Sequence, residues 1–252
     1  MDRPSADLLP FDPTGTLEIL REGDLEVLGR LLASTNQALF CRVTRPCPDP
    51  EPASIVDAIY KPIRGERPLD DFPDGTLCRR EVAAHLVSES TGWAIVPPTV
   101  MREGPFGEGM VQLWIDVDEA VDVVGLVIDD DPRLRRIAIY DVIVNNTDRK
   151  GGHLLPVRGG HIFGVDHGVC FSPVPKLRTV LWGWRGERLE ADELEVVERV
   201  RDDLDGVLGA RLLKLLDPIE VETTARRADR LLRTGRFPMP SPNWPAVPWP
   251  PF

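Results

Sequence analysis

Two aspartates, Asp148 and Asp166, have the type and setting that point most directly to chemistry. Asp148 follows an apolar, helix-like run and stands among polar residues, as a carboxylate in a loop would. Asp166 ends the short apolar stretch at residues 162 to 165, which is typical of a strand. A Gly159-Gly160 turn between two such stretches predicts a hairpin. We expect this hairpin to bring the two acids together.

Phosphoryl transfer needs two carboxylates in different roles. One accepts the proton of the attacking hydroxyl, and the other holds the divalent ion that neutralises the phosphates. Asp148, in a polar loop, fits the first role, and Asp166, at a strand end, fits the second.

This stretch resembles the catalytic segments of the phosphatidylinositol 3- and 4-kinase-like superfamily, and within it the bacterial branch related to type II lipid kinases and HipA-like kinases. The family's D-R-x-x-x-N and D-x-G motifs correspond to D-R-K-G-G-H at residues 148 to 153 and D-H-G at residues 166 to 168. The resemblance implies that Asp148 and Arg149 are catalytic, that His153 and Asp166 bind metal, and that ATP with Mg²⁺ or Mn²⁺ is the cofactor. His153 stands where the family has asparagine, and a neutral imidazole suits manganese better than magnesium.

The resemblance extends to the nucleotide side of the site. The family form Y-K-P-x-x-G-E is matched by Y-K-P-I-R-G-E at residues 60 to 66. This match implies that Lys61 pairs with the nucleotide phosphates and that Glu81, on a helix predicted at residues 77 to 89, holds Lys61 in place. A surface lysine and a solvated glutamate are the plain alternatives. Two further groups of candidates complete the nucleotide side. A small polar turn would lie over the phosphates, with an ordinary turn as the plain alternative, and it contains Ser34, Thr35 and Asn36. The hinge between the lobes contains Gln112, Leu113 and Trp114.

The order of the predicted elements gives the fold class. Antiparallel strands, a helix after the third strand, and two further strands form the order of a kinase N-lobe. We therefore expect an α+β, two-lobed protein-kinase-like fold, with an antiparallel-sheet N-lobe and a mostly helical C-lobe. The expected organisation is a flexible tail at 1–13, the N-lobe at 14–116, the C-lobe at 117–236 and a Pro-rich tail at 237–252. Strands are predicted at 92–101 and 109–115, and one long helical pattern at 192–216.

Composition limits the partners. The net charge of −11 argues against a general affinity for nucleic acid or anionic membrane surfaces. The four cysteines lack C-x-x-C spacing, and no apolar run approaches the roughly 20 residues of a membrane span, so we expect reduced thiols, no integral membrane segment and a cytoplasmic location. The scarcity of lysine and the abundance of proline and glycine are typical of a GC-rich bacterial source. The Pro-rich tail is expected to dock on the body of the chain or on a partner.

These observations predict an ATP-dependent kinase that transfers the γ-phosphoryl group to an unidentified hydroxyl of a protein, lipid or small molecule. Two alternatives stay open. The substitution at His153 and the short region after Phe171 favour a pseudokinase that binds nucleotide without turnover. A metal-dependent phosphoesterase would instead use a set of acidic and imidazole ligands: Asp148, His153, His161, Asp166 and His167.

Overall fold

The computed structural model describes residues 9, 11–31, 37–46 and 52–252, and its chain forms two lobes. The N-lobe contains an antiparallel sheet of five strands in the order β1-β2-β3-β5-β4. The strands are β1 (Asp24–Arg30), β2 (Leu39–Arg45), β3 (Ser54–Pro62), β4 (Thr99–Gly104) and β5 (Gly107–Leu113).

One face of this sheet is buried because apolar side chains recur at every second position. Along β2, Leu39, Cys41 and Val43 are buried, and they pair in register with Tyr60, Ala58 and Val56 of β3. Helix α1 (Pro13–Glu22) covers this face. Strand β3 continues past the buried Tyr60 to Lys61 and Pro62, so Lys61 lies at the end of the strand.

Helix α1 begins inside the segment that we assigned to an N-terminal tail. Asp12 caps it by accepting hydrogen bonds from the N–H groups of Thr14 and Gly15 at 3.1 and 3.0 Å. Phe11 stacks on Phe163 of the C-lobe hairpin, with ring centroids 5.8 Å apart. The last residues of that segment therefore pack against the body of the protein.

Helix α2 (Leu77–Thr91) lies between the lobes and is buried on nearly all sides. The Glu66 carboxylate accepts hydrogen bonds from the first two N–H groups of the helix, those of Leu77 and Cys78, at 3.1 and 2.8 Å. Gly92, with φ of 69°, ends it in the left-handed conformation that favours glycine. Because the helix packs on β4 and β5 and also on helices of the C-lobe, it has no wide solvent-facing side.

The C-lobe is mostly helical and carries one small hairpin, as expected. Its helices are α3 (Val123–Ile128), α4 (Arg135–Val144), α5 (Ala191–Leu204), α6 (Val207–Leu212) and α7 (Pro218–Thr234). The hairpin pairs β6 (Leu154–Pro156) with β7 (Ile162–Gly164), and its turn has positive φ at Gly159 and Gly160. The α+β class and the division into a sheet lobe and a helical lobe are thus confirmed.

Two element predictions were wrong. The strand predicted at 92–101 begins only at Thr99, because Pro97 and Pro98 have no N–H to donate to a neighbouring strand. The helical pattern at 192–216 is broken at Gly206, whose φ and ψ of −115° and −130° are not helical. After the break Gly209 packs so closely that a Cβ there would lie 1.9 Å from the Leu204 carbonyl oxygen.

Residues 237–252 run along the C-lobe without helix or strand. The Trp182 indole N–H donates to the Ala246 carbonyl at 2.8 Å, Lys176 lies over the Trp244 ring, and the Gly151 N–H donates to the Pro251 carbonyl at 2.8 Å. The tail is therefore docked on the body of the same chain. Among the described residues, no helix combines the length and apolar character that crossing a membrane requires.

Candidate functional site

Lys61 lies at the centre of a group of charged side chains between the lobes. Its Nζ is 2.8 Å from Glu81 Oε1 and 3.0 Å from Asp166 Oδ1. Glu81 is 2% exposed and Asp166 is 54% exposed, so the lysine links a buried carboxylate to one at the open side of the site. Strand β3, helix α2 and the segment after β7 thus bring together three residues that are far apart in the sequence.

The charges on this group reinforce one another. Burial alone would favour the neutral amine of Lys61, but the carboxylates of Asp166 and Glu81 outweigh burial and raise its pKa. Lys61 in turn lowers the pKa of Asp166, and this attraction outweighs the opposing effect of burial. The lysine is therefore cationic and Asp166 anionic at neutral pH.

Glu81 also joins helix α2 to the D-H-G segment. Its Oε2 accepts a hydrogen bond from the His167 backbone N–H at 2.8 Å while Oε1 binds Lys61. Asp166 itself has φ of 61°, a left-handed conformation that is uncommon for a residue other than glycine. Such conformations are maintained only by surrounding contacts, and here the flanking contacts of Lys61 and Glu81 provide them.

Asp148 lies in a loop that starts where α4 ends. Asn145 ends the helix with φ of 52°, and the Asn146 side-chain carbonyl accepts a hydrogen bond from the Asp148 N–H at 3.0 Å. The Asp148 carboxylate is partly exposed, and its Oδ2 is 3.1 Å from Lys150 Nζ. This loop therefore leaves the carboxylate partly open to solvent.

The structure does not bring the Arg149 guanidinium to the cleft. It is fully buried in an ion pair with Asp141 of α4, at 2.9 Å between Nη2 and Oδ1. Its Nη1 donates to the Val165 carbonyl at 3.1 Å, and Nη2 lies 2.6 Å from His167 Nε2. Arg149 thus connects the loop that contains Asp148 to the segment that contains Asp166, and it helps to hold both in place.

His153 lies beside Asp166, with its Nε2 3.5 Å from Asp166 Oδ2. Burial lowers the pKa of His153, against a smaller opposing effect of Asp166, so the ring is neutral at pH 7. Its Nδ1 accepts a hydrogen bond from the Lys150 N–H at 3.4 Å, which assigns the ring proton to Nε2. Binding a metal through Nε2 would require the other tautomer and the loss of this long hydrogen bond.

The remaining residues that we expected to bind nucleotide are those of the polar turn and of the hinge. Ser34, Thr35 and Asn36 lie outside the described residues. The Gln112 side chain is buried and donates to Thr99 Oγ1 at 2.8 Å. The backbone N–H groups of Leu113 and Trp114 are already bonded to the carbonyls of Pro98 and Asp57, each at 2.9 Å. The structure therefore places these three residues at the C-terminal end of β5, an inner strand of the sheet, without directing these donors into the cleft.

Sequence reasoning missed Asp141 and Arg80. Asp141 occupies the same helical face as Ile137 and Val144, and a lone acid on an apolar stripe is a signal that could have identified it as a buried partner. Arg80 gave no such signal. It is buried beside Glu81, with Nη2 2.6 Å from Glu220 Oε1.

Arg80 has two further contacts that anchor helix α2. Its Nη1 donates to the Cys170 carbonyl at 2.8 Å, and its guanidinium lies 4.7 Å from the centre of the Phe72 ring. Since Glu220 belongs to α7 and Cys170 follows the D-H-G segment, Arg80 ties the helix that carries Glu81 to the C-lobe.

Comparison with known proteins agrees with this architecture. The chain is 39% identical, over 269 aligned positions, to Protein Rv2133c of Mycobacterium tuberculosis (strain ATCC 25618 / H37Rv), and the match covers 93% of this chain and 94% of that protein. The chain belongs to the Rv2133c family. No family model matches it.

Two more distant similarities concern kinases. Phosphatidylinositol 4-kinase gamma 4 of Arabidopsis thaliana is 26% identical over 185 aligned positions, and the match covers 62% of this chain and 32% of that protein. The crystal structure of the Helicobacter pylori proinflammatory kinase CtkA superposes with a TM-score of 0.52 at 12% identity and covers 86% of this chain and 94% of that chain. The Rv2133c-family chain therefore has a two-lobed kinase-like fold, and the expected fold class is confirmed.

Proposed function

We propose that this protein is a phosphotransferase of the phosphatidylinositol 3-/4-kinase-like type, which moves the γ-phosphoryl group of ATP to a hydroxyl acceptor. The observation that carries the proposal is the contact of Lys61 with Glu81 at 2.8 Å, together with its contact to Asp166 at 3.0 Å. In kinases a strand lysine paired with a helix glutamate holds the nucleotide phosphates, and an aspartate at a strand end holds the metal. The motif order and the distant lipid-kinase similarity support the same assignment.

Asp148 is the proposed base, because its carboxylate is partly exposed and its backbone is held by Asn146. Asp166 and His153 are the proposed protein ligands of a divalent ion, because the Asp166 carboxylate is ionised and the two side chains lie side by side. The ion would neutralise charge on the phosphates. Within the described part of the chain, no group of three or more His, Cys, Asp or Glu side chains could hold a metal ion. Two protein ligands agree with a site that shares its ion with ATP, whereas the phosphoesterase hypothesis requires a larger set.

The decisive experiment is calorimetric titration of ATP into Lys61→Ala, with Lys214→Ala as the matched control because Lys214 is exposed. Loss of a charge-assisted contact should weaken ATP binding by about 1–3 kcal/mol in Lys61→Ala. Lys214→Ala should bind ATP like wild type. Equal ATP affinity in folded Lys61→Ala and wild type would contradict the proposal.

The pseudokinase alternative uses the same cleft without turnover, and the histidine at position 153 is the observation that favours it. Incubation with γ-labelled ATP and either Mg²⁺ or Mn²⁺ separates the two. Transfer of label to protein, lipid, small molecule or water that is lost in Asp148→Asn supports the kinase. ATP binding with no release or transfer of label supports the pseudokinase.

A further inference from the structure

A short segment after the D-H-G motif runs directly alongside the loop of Asp148. The Arg149 N–H donates to the Arg178 carbonyl at 3.0 Å, and the Arg178 N–H donates to the Asn146 carbonyl at 2.9 Å. The Val180 N–H donates to the Arg149 carbonyl at 3.1 Å. The backbone of Arg178 is therefore held at both its N–H and its carbonyl by the candidate catalytic loop.

The pairing also indicates on which face the Arg178 side chain lies. Arg149 and Thr179 are bridged in parallel, and both side chains reach the same buried carboxylate of α4. Side chains alternate between the two faces of an extended backbone, so the neighbours of this inward-facing pair lie on the outer face. The contact of Lys150 with Asp148 on that face agrees with the alternation. Arg178 accordingly shares a face with the proposed base.

Among the described residues, Arg178 differs from its neighbours Lys150 and Lys176 in having no ion-pair partner. Lys150 pairs with Asp148, and Lys176 pairs with Asp71. Among the described residues, by contrast, no carboxylate forms an ion pair with Arg178, and its Nε is buried without a hydrogen-bond partner. The Nε donor of Arg178 is therefore not used by any of the described residues.

We propose that Arg178 forms an oxyanion subsite next to Asp148, and that the acceptor carries a phosphate or carboxylate close to the hydroxyl that is phosphorylated. The planar guanidinium presents paired donors that match either oxyanion. Its fixed backbone reduces the entropy lost when the anion binds. The inference rests on the proposed function, because it concerns the acceptor side of the same site.

Two matched pairs of acceptors test the subsite with γ-labelled ATP: glycerol 3-phosphate against glycerol, and a serine peptide flanked by aspartates against the same peptide flanked by asparagines. The charged member of one pair should be preferred by about 10- to 100-fold in kcat/KM, as a charge-assisted hydrogen bond allows. The pair that shows the preference identifies a small phosphorylated molecule or an acidic peptide as the source of the anion.

Arg178→Gln should remove the preference and Arg178→Lys should keep part of it. The control Arg158→Gln, exposed in the hairpin turn, should keep all of it. Equal use of both members of each pair, or an undiminished preference in Arg178→Gln, would overturn the proposal.

A binding measurement needs no turnover and separates this inference from the proposed function. Inorganic phosphate, compared with potassium chloride at equal ionic strength, should raise the wild-type Tm saturably in the presence of a non-hydrolysable ATP analogue and without it. The rise should be absent in Arg178→Gln and retained in Arg158→Gln. If no ATP binds and no label is transferred, the proposed function fails, and the phosphate titration alone then decides the subsite. A rise of equal size in wild type and Arg178→Gln, or no rise in wild type, would refute it.

Discussion

Replacement of Arg80 by methionine tests how the helix that carries Glu81 is held in place. Arg80 is 1% exposed, and its loss leaves the buried Glu220 carboxylate without a cation and the Cys170 carbonyl without this donor. Breaking a buried ion pair from one side typically costs about 3–5 kcal/mol. At about 2–4 °C per kcal/mol for a chain of this size, Tm should fall by about 6–20 °C. ATP affinity should fall with it, because Glu81 adjoins Arg80 on the same helix.

A double-mutant cycle separates the ion pair from simple loss of packing. In Arg80→Met/Glu220→Gln no charge is left buried without a partner, so the double variant should be more stable than Arg80→Met alone. Arg79→Met, an exposed arginine on the same helix, is the control and should change Tm by less than about 2 °C. Calorimetry of wild type, Arg80→Met, Glu220→Gln and the double variant gives the coupling energy. A Tm for Arg80→Met equal to that of Arg79→Met, or strict additivity in the cycle, would refute the reasoning.

Three further predictions concern the site and its pH dependence. Asp148→Asn should abolish phosphoryl transfer, measured by label transfer, and leave ATP affinity nearly unchanged. Asp166→Asn should lose metal-dependent ATP binding, measured by calorimetry. Equal effects of the two substitutions on ATP affinity would contradict this division of roles. His153→Asn, which introduces an amide oxygen, should keep activity and shift its preference from Mn²⁺ toward Mg²⁺; an unchanged preference would exclude His153 as a ligand. Burial lowers the folded-state pKa of all four histidines below the unfolded value of about 6.5. The unfolded chain therefore binds more protons than the folded chain in acid. The free energy of unfolding should accordingly fall as the pH drops below about 6.5, by up to about 1.4 kcal/mol per pH unit for each histidine. Urea unfolding at pH 7.5, 6.5 and 5.5 checks this slope, which should be smaller in His85→Gln.

The parts of the site that sequence predicted are those encoded by local patterns. The glycine pair at Gly159 and Gly160 and the apolar stretches around it were enough to predict the β6–β7 hairpin, because turn and strand preferences act over a few residues. Lys61 was predicted from the strand that ends in it, and Glu81 from the helix that follows. The structure places the two side chains in contact, which local patterns could suggest only through the resemblance to kinases.

The parts that sequence missed depend on partners far apart in the chain. Glu220 lies 140 residues after Arg80, and nothing near either residue indicates the pairing. The break at Gly206 was missed because apolar residues keep the helical period on both sides of it, and a single glycine is tolerated in many helices. The resemblance implied a catalytic role for Arg149, but the direction of its side chain depends on Asp141 of α4, with which it forms a fully buried ion pair.

The two contacts of Lys61 differ in what they allow during a phosphoryl transfer. Glu81 is buried and is held from its second oxygen by the His167 N–H, so its contact with the lysine can persist when nucleotide enters. Asp166 is half-exposed, and its Oδ1 is used by the same lysine that the proposal assigns to the phosphates. Both assignments hold together only if nucleotide and ion replace the contact between Lys61 and Asp166. The contact with Glu81 is therefore the one that positions the lysine, and the contact with Asp166 is the one that ligand binding must open.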